Sequence, residues 1–305
     1  MAGLKEIKLK IRSTARTRTV TKAMEAVSAA KMRKTQNAAL AGRSYARAAT
    51  SVLARVQGTR ELASHPLTNK REVKKALYIV ITSDKGLAGA LNSGVLRATA
   101  RDMAERGLTH ESASVVAIGR KAQDFFSRRE FAIEAYHPNT DVVSAEIIAS
   151  VVSEAAARFS TGAVDEVIIA YQNFISTFEQ RPTLRTLFPL SLEELQKVVA
   201  DIVPAKGALK QAPVEATASG YTVEPSESDV LSAILERLAA IFVYHALLES
   251  QASEHSARMV AMKGASDKAA EMQHALTLKF NKARQAAITR EVSEITGGME
   301  AMATA

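Results

Sequence analysis

Residues that could do chemistry at short spacing are scarce in this 305-residue chain. Ser83-Asp84-Lys85-Gly86-Leu87-Ala88-Gly89 follows an apolar run and precedes a helical pattern, the place where phosphate loops sit. Its spacing is not that of a phosphate loop, which needs Gly-x4-Gly-Lys-Ser/Thr, and Gly86-x-x-Gly89 is not the dinucleotide Gly-x-Gly-x-x-Gly. A tight strand-to-helix turn accounts for it, and equally for Ile118-Gly119-Arg120-Lys121. The six histidines are scattered. His245 and His255 do not have the i,i+4 spacing that brings two imidazoles to one metal on a helix, and both fall in core slots of a long helix. No serine–histidine–acid or paired-carboxylate set assembles. The absence of cysteine excludes disulfides, iron–sulfur clusters and thiol catalysis. The chain is expected to have no catalytic, cofactor-binding or metal-binding residues of its own.

What remains is the chemistry of contact. The net charge is +8 and unevenly placed. Residues 1–60 carry 14 Lys and Arg against Glu6 and Glu25, whereas residues 226–305 carry 8 against 10 acids. Such an excess attracts a polyanion or an acidic protein cavity. A basic helix binding nucleic acid is one reading, although interleaved aromatics and named nucleic-acid motifs are missing.

The elements that carry these residues are long helices. After Pro225 no proline follows for eighty residues. Counted by sevens from Leu231, one core slot holds Leu231, Leu238, His245, Ala252, Met259, Ser266, Gln273, Phe280 and Ala287. The other holds Ile234, Ile241, Leu248, His255, Met262, Ala269, Leu276, Ala283 and Arg290, and 13 of these 18 are apolar. A 3.5-residue period sustained this long predicts a left-handed supercoil on the order of 100 Å long. The partner is the proline-free stretch 3–57. Its stripe opens with Leu4, Ile7 and Ile11 and is expected to continue in a shifted frame through Met24, Val27, Ala38, Ala41, Tyr45, Ala48 and Val52, because Thr14, Arg18, Thr21, Glu25 and Ser28 occupy the slots between. A domain intervenes, so the two helices pair antiparallel.

The intervening stretch alternates strands with helices. Strands are predicted at 76–83, 114–119, 131–136, 164–173 and 183–190, the last two antiparallel. Helices are predicted at 87–106, 120–129 and 144–159. This is the pattern of an α/β domain with a mostly parallel, Rossmann-like sheet. The predicted organisation is an N-terminal coiled-coil helix over 1–60, the α/β domain over 76–190, a linker and foot loop over 191–225, and a C-terminal coiled-coil helix over 226–300, with Ser226 as its cap. The N-terminus alternates charged and apolar residues and does not read as a secretory signal. The longest apolar run, Leu238–Leu248, is too short to span a bilayer.

At both ends the sequence resembles the gamma subunit of F-type ATP synthases. The run Lys279-Phe-Asn-Lys-Ala-Arg-Gln-Ala-Ala-Ile-Thr-Arg-Glu-Val-Ser-Glu-Ile295 matches that family's signature through Ile288, Thr289, Glu291 and Glu294, departing at Gly298-Met299 where the signature has Gly-Ala. Ser256–Lys263, Ile7–Thr14, Thr21–Met32, Ser83–Gly89 and Tyr221-x-x-Glu-Pro225 are similar to further family segments in the same order. The resemblance implies a non-catalytic rotor, whose terminal helices form the shaft inside a hexamer of alternating alpha and beta subunits. It carries contacts with beta over to Arg284, Gln285, Thr289 and Glu291, to Lys22 and Met24, and to Arg258. It places Tyr221 and Glu224 at a foot that touches epsilon and the membrane c-ring. One copy per complex, no nucleic acid and a peripheral position on the cytoplasmic face of a bacterial inner membrane are implied as well. A doubly wound nucleotide-binding enzyme is the third reading, and it lacks a phosphate motif.

Overall fold

β1, Ala76–Ile81, is buried on both faces, as six consecutive apolar residues require. It lies at the centre of a five-stranded sheet with β2 (Ala113–Ile118), β3 (Ala132–His137), β4 (Glu166–Phe174) and β5 (Gln180–Phe188), in the order β3-β2-β1-β4-β5. Only β5 is antiparallel, joined to β4 by a tight turn as the missing helical pattern between them predicts. The structure is a computed structural model and describes residues 2–41, 62, 64–191 and 227–303. The helices are α1 (Ala2–Ala41), α2 (Leu91–Glu105), α3 (Arg120–Ser127), α4 (Ala145–Ser160) and α5 (Glu227–Ala303).

Each face of the sheet buries a different set of side chains. On one, Tyr78, Val80, Val115 and Ile168 pack against Val95, Leu96 and Met103 of α2 and Phe126 of α3. On the other, Leu77, Ile79, Ile81, Val116 and Ile169 pack against Ile148, Val151 and Phe159 of α4 and against Leu231, Leu235, Leu238, Phe242, Val243 and Leu247 of α5. The first third of α5 is thus a layer helix of the α/β core. By length and composition α5 could cross a membrane, but this segment is covered by the sheet.

The chain divides into two compact units, Met1–Ser28 with Arg258–Ala305, and Ala29–Ala257. The first is a pair of helix segments and the second contains the sheet. The segments run antiparallel, as predicted: Lys31 of α1 and His255 of α5 meet the same carboxylate in the second unit, and the lower numbers of α1 share the first unit with the higher numbers of α5.

Three expectations change. The first helix of the domain begins at Leu91, not Leu87, because Leu87 and Gly89 adopt φ of 64° and 59°, which no right-handed helix contains. β5 begins at Gln180 and includes Pro182; as an edge strand it can tolerate the missing N–H. The third change concerns the seam of α1, described below. The helix continuation from 42 to 60, the foot loop and the Ser226 cap lie outside the described residues.

Candidate functional site

The carboxyl ends of β1 and β4 border the switch point of this sheet order, where an α/β fold places its ligand. Here the loop that follows β1 turns inward. The Ser83 N–H donates to Asn92 Oδ1 at 3.0 Å, Asn92 Nδ2 donates to Ser83 Oγ at 2.7 Å, and the Arg120 N–H donates to Asp84 Oδ1 at 2.8 Å. Gly119 has φ 99° and passes directly beneath Thr82. The edge itself is occupied by α5. Gln251 donates to Asn139 Oδ1 at 3.0 Å and to the Thr140 carbonyl at 2.8 Å, and Ser253 donates to the Gln172 carbonyl at 3.1 Å. The chain's own helix fills the place that the enzyme reading would give to a nucleotide.

Electrostatics at this edge centre on Asp141. Its carboxylate accepts a hydrogen bond from Lys31 Nζ at 2.6 Å and lies 3.9 Å from His255 Nε2. The Lys31 hydrogen bond, reinforced by the charges of Lys31, His255 and Lys85, holds Asp141 below the usual carboxylate range despite some burial. His245 and His255, at 9% and 5% exposure, sit in the heptad slots that the sequence assigns them. Among the described residues no group of three or more acids and histidines is placed to hold a metal.

The remaining site residues lie on the helix pair. On α5 the predicted heptad is the buried seam: Ala252, His255, Met262, Ser266 and Ala269 are buried, and Gln273, Leu276, Phe280, Ala283 and Ala287 are partly so. On α1 the seam runs in a single frame through Leu4, Ile7, Ile11, Thr14, Thr21, Ser28, Met32 and Thr35. Of the expected shifted frame, Val27 is 55% exposed while Met24 and Ala38 are partly buried, and Ala41, Tyr45, Ala48 and Val52 lie outside the residues whose side chains are described. The polar slots can stay in the seam because each threonine satisfies its own hydroxyl. Thr14, Thr21 and Thr35 donate to the carbonyls of Lys10, Thr17 and Lys31 at 2.9, 3.0 and 3.1 Å.

Beyond Ala287 every described side chain of α5 is exposed. Ile288, Val292, Ile295, Met299 and Met302 repeat at 3.5-residue spacing on this segment and are 51–83% exposed. Heptad counting restarted one residue after Ala287 would have found this second stripe in the sequence. Arg284, Gln285, Thr289 and Glu291 are exposed on the same stretch, and Lys22 is exposed on α1 while Met24 is half-buried. Arg258 differs: at 8% exposure it is held within the chain's own packing and offers little area to a separate subunit. Tyr221 and Glu224 lie outside the described residues. The unit formed by residues 1–28 and 258–305 holds fourteen Lys and Arg against seven acids, so it carries +7 of the chain's +8.

Comparison with solved structures gives the same architecture. The chain is similar to a chain in a structure of the central stalk and c-ring of Tetrahymena thermophila mitochondrial ATP synthase (24% identity, TM-score 0.59, covering 81% of this chain and 99% of that one). It is also similar to a chain of Euglena gracilis mitochondrial ATP synthase in a structure of its OSCP, F1 and c-ring (21%, 0.65, 99% and 95%) and to one in the rotor of that enzyme (20%, 0.60, 94% and 99%). At these identities the likeness establishes the fold. The ATP synthase family profile matches residues 3–302, nearly the whole chain. By that match over nearly its whole length, this chain belongs to the gamma-subunit family of ATP synthases.

Proposed function

We propose that this chain is the central-stalk rotor of a proton-translocating F-type ATP synthase, coupling rotation of the membrane c-ring to conformational change at catalytic beta subunits without catalysing a reaction itself. The observation that carries it is the end of α5: a helix whose partner-facing seam stops at Ala287 and which then presents a second, unpartnered apolar stripe from Ile288 to Met302. Single helices in water do not keep such a stripe exposed without a housing to receive it. A hexamer with an apolar bearing supplies one, and acidic loops around it suit a unit of charge +7. Exposed ion pairs are each worth only ~0–1 kcal/mol, so such attraction centres the shaft without locking one angle.

Arg284, Gln285, Thr289 and Glu291, with Lys22 and Met24 on the other helix, are the residues that meet the beta subunits in this reading. A shaft acts only through contacts that differ between beta conformations. Arg258, proposed with them, is 8% exposed and contributes the least area to that contact. Tyr221 and Glu224 belong to the foot that faces epsilon and the c-ring. The subunit is present once per complex and peripheral to the membrane, on the cytoplasmic face of a bacterial inner membrane. The test is assembly: the chain mixed with alpha and beta subunits should form one complex with a single copy of itself. In the reconstituted synthase, Arg284→Ala should lower proton-driven ATP synthesis several-fold. No association with alpha and beta would remove the rotor reading, and normal synthesis by the Arg284 variant would remove that residue's assignment.

A further inference from the structure

α5 meets the α/β core through two different kinds of contact. From Leu231 to Leu247 the contact is apolar. Burial of this kind is non-directional, and because the apolar residues recur every three or four positions, a helix displaced by one turn would still fill the trough with apolar side chains. From Gln251 to Ser256 the contact is polar and buried: Gln251 is 4% exposed, and Ser253 and Ser256 are 0% exposed. Their acceptors come from separate segments of the sheet's carboxyl edge. Gln251 reaches Asn139 and the Thr140 carbonyl between β3 and α4, and Asn139 Nδ2 in turn donates to the Thr82 carbonyl at the end of β1 at 2.8 Å. Ser253 reaches the Gln172 carbonyl in β4, and Ser256 the Thr177 carbonyl in the β4–β5 turn at 2.7 Å. Lys31 of α1 is fastened to the same edge through Asp141.

A shift of one residue turns the helix by about 100°, and a shift of one turn moves it by about 5.4 Å. Either would strand these three donors and their acceptors in a buried interface, where a lost hydrogen bond is penalised far more than a changed apolar contact is. A buried polar residue fixes register in a coiled coil by the same asymmetry.

We propose that Gln251, Ser253 and Ser256 are positioning residues that set the rotational phase of α5 against the α/β domain, with Lys31 and Asp141 holding α1 to the same edge. The residues proposed to face beta lie further along the same helix, Glu227–Ala303. The inference rests on the rotor reading.

The experiment uses the reconstituted synthase carrying Gln251→Leu, Ser253→Ala and Ser256→Ala together, read by protons pumped per ATP hydrolysed and by the spread of dwell angles of a bead attached to the α/β domain. Subunit stoichiometry and hydrolysis rate should stay within twofold, pumping per ATP should fall threefold or more, and the dwell angles should broaden. If the triple variant does not fold, Ser256→Ala alone, which removes one oxygen atom, takes the same readouts with a smaller loss in the same direction. Lys31→Asp and Asp141→Lys should each reduce pumping per ATP, and the two together should restore it. An assembled variant with unchanged pumping ratio and dwell width overturns the phase assignment, and a charge swap that fails to restore pumping overturns the role of the ion pair. Failure of the unmodified chain to assemble with alpha and beta defeats the rotor reading instead.

Discussion

A β-carbon on Gly119 would lie 2.1 Å from the carbonyl oxygen of Thr82. The two residues hold the turns after β2 and β1 together: Thr82 Oγ1 accepts the Ala122 N–H at 2.9 Å at the start of α3, and the Thr82 N–H donates to the Ile118 carbonyl at 2.8 Å. Gly119 also has φ 99°, a conformation that L side chains rarely adopt. Gly119→Ala should therefore destabilise the chain by about 3 kcal/mol or more, from strain and overlap with backbone together. Urea unfolding of the isolated chain measures it, and a loss below about 1 kcal/mol would mean the close approach is absent.

The seam of α1 has a test of its own frame. Thr21 is 9% exposed and Val27 is 55% exposed. Thr21→Val keeps the shape and places a methyl where a hydroxyl bonded only to its own helix stood, so stability should rise by about 0.5–1 kcal/mol. Val27→Thr should stay within about 0.5 kcal/mol, as for other exposed positions. The reverse ordering in denaturant unfolding would show that the seam shifts frame after all.

Tyr78 gives the core an alkaline limit. Burial foremost, and then its 2.7 Å hydrogen bond to Asp102, push its hydroxyl well above the ordinary value of 10.0. The folded protein thus holds this proton more tightly than the unfolded chain does. Stability from this group is fully present below pH ~10 and declines as pH rises above it. Tyr78→Phe should lower stability near neutrality by about 1 kcal/mol and flatten the decline between pH 10 and 11. An equal alkaline slope in both proteins would assign that loss elsewhere.

The exposed stripe separates folding from assembly. Ile288 and Ile295 are 51% and 63% exposed, so replacing both by Ser should change the unfolding free energy of the isolated chain by less than about 0.5 kcal/mol per site. The same variant should show weaker association with the alpha and beta subunits in a sedimentation or pull-down titration. Wild-type association would mean the stripe faces water in the complex too.

Charged side chains near the start of β4 supply a further case. Arg106 bonds Glu166 and lies 3.1 Å from Asp102, and Thr186 donates to Glu166 at 3.1 Å. Glu166 is 9% exposed. Glu166→Leu should destabilise by roughly 1–2 kcal/mol, because it removes one of two carboxylates from the half-exposed Arg106 guanidinium and the acceptor of the Thr186 hydroxyl, whereas Glu166→Gln should cost less. Thermal unfolding of the two variants orders them.

Much of this molecule is written in its periods. From Ala252 to Ala287 the heptad counted from Leu231 reads directly as the buried seam of α5, because a side chain's face on a helix depends only on its position modulo the repeat, whereas Leu235, Phe242, Val243 and Leu247, off its slots, pack on the sheet. The apolar run of β1 and the absence of helical pattern between β4 and β5 fixed the sheet's pairing in the same local way. The missing phosphate spacing after β1 also stood in the sequence. The frame of α1 did not, because apolarity was used to find the seam, and Thr14, Thr21 and Thr35 are polar residues whose hydroxyls vanish into their own helix. The contacts at Gln251, Ser253 and Ser256 were equally invisible. Their acceptors lie 79 to 112 residues away, mostly on backbone carbonyls that every residue possesses. Sequence by itself determined two long terminal helices of opposite direction and an α/β sheet between them along the chain, since those follow from repeats in the sequence. Which polar groups meet, and that α5 fills the crevice at the end of the sheet, only the tertiary structure decided, because hydrogen-bond partners distant in sequence are chosen by packing and not by local pattern.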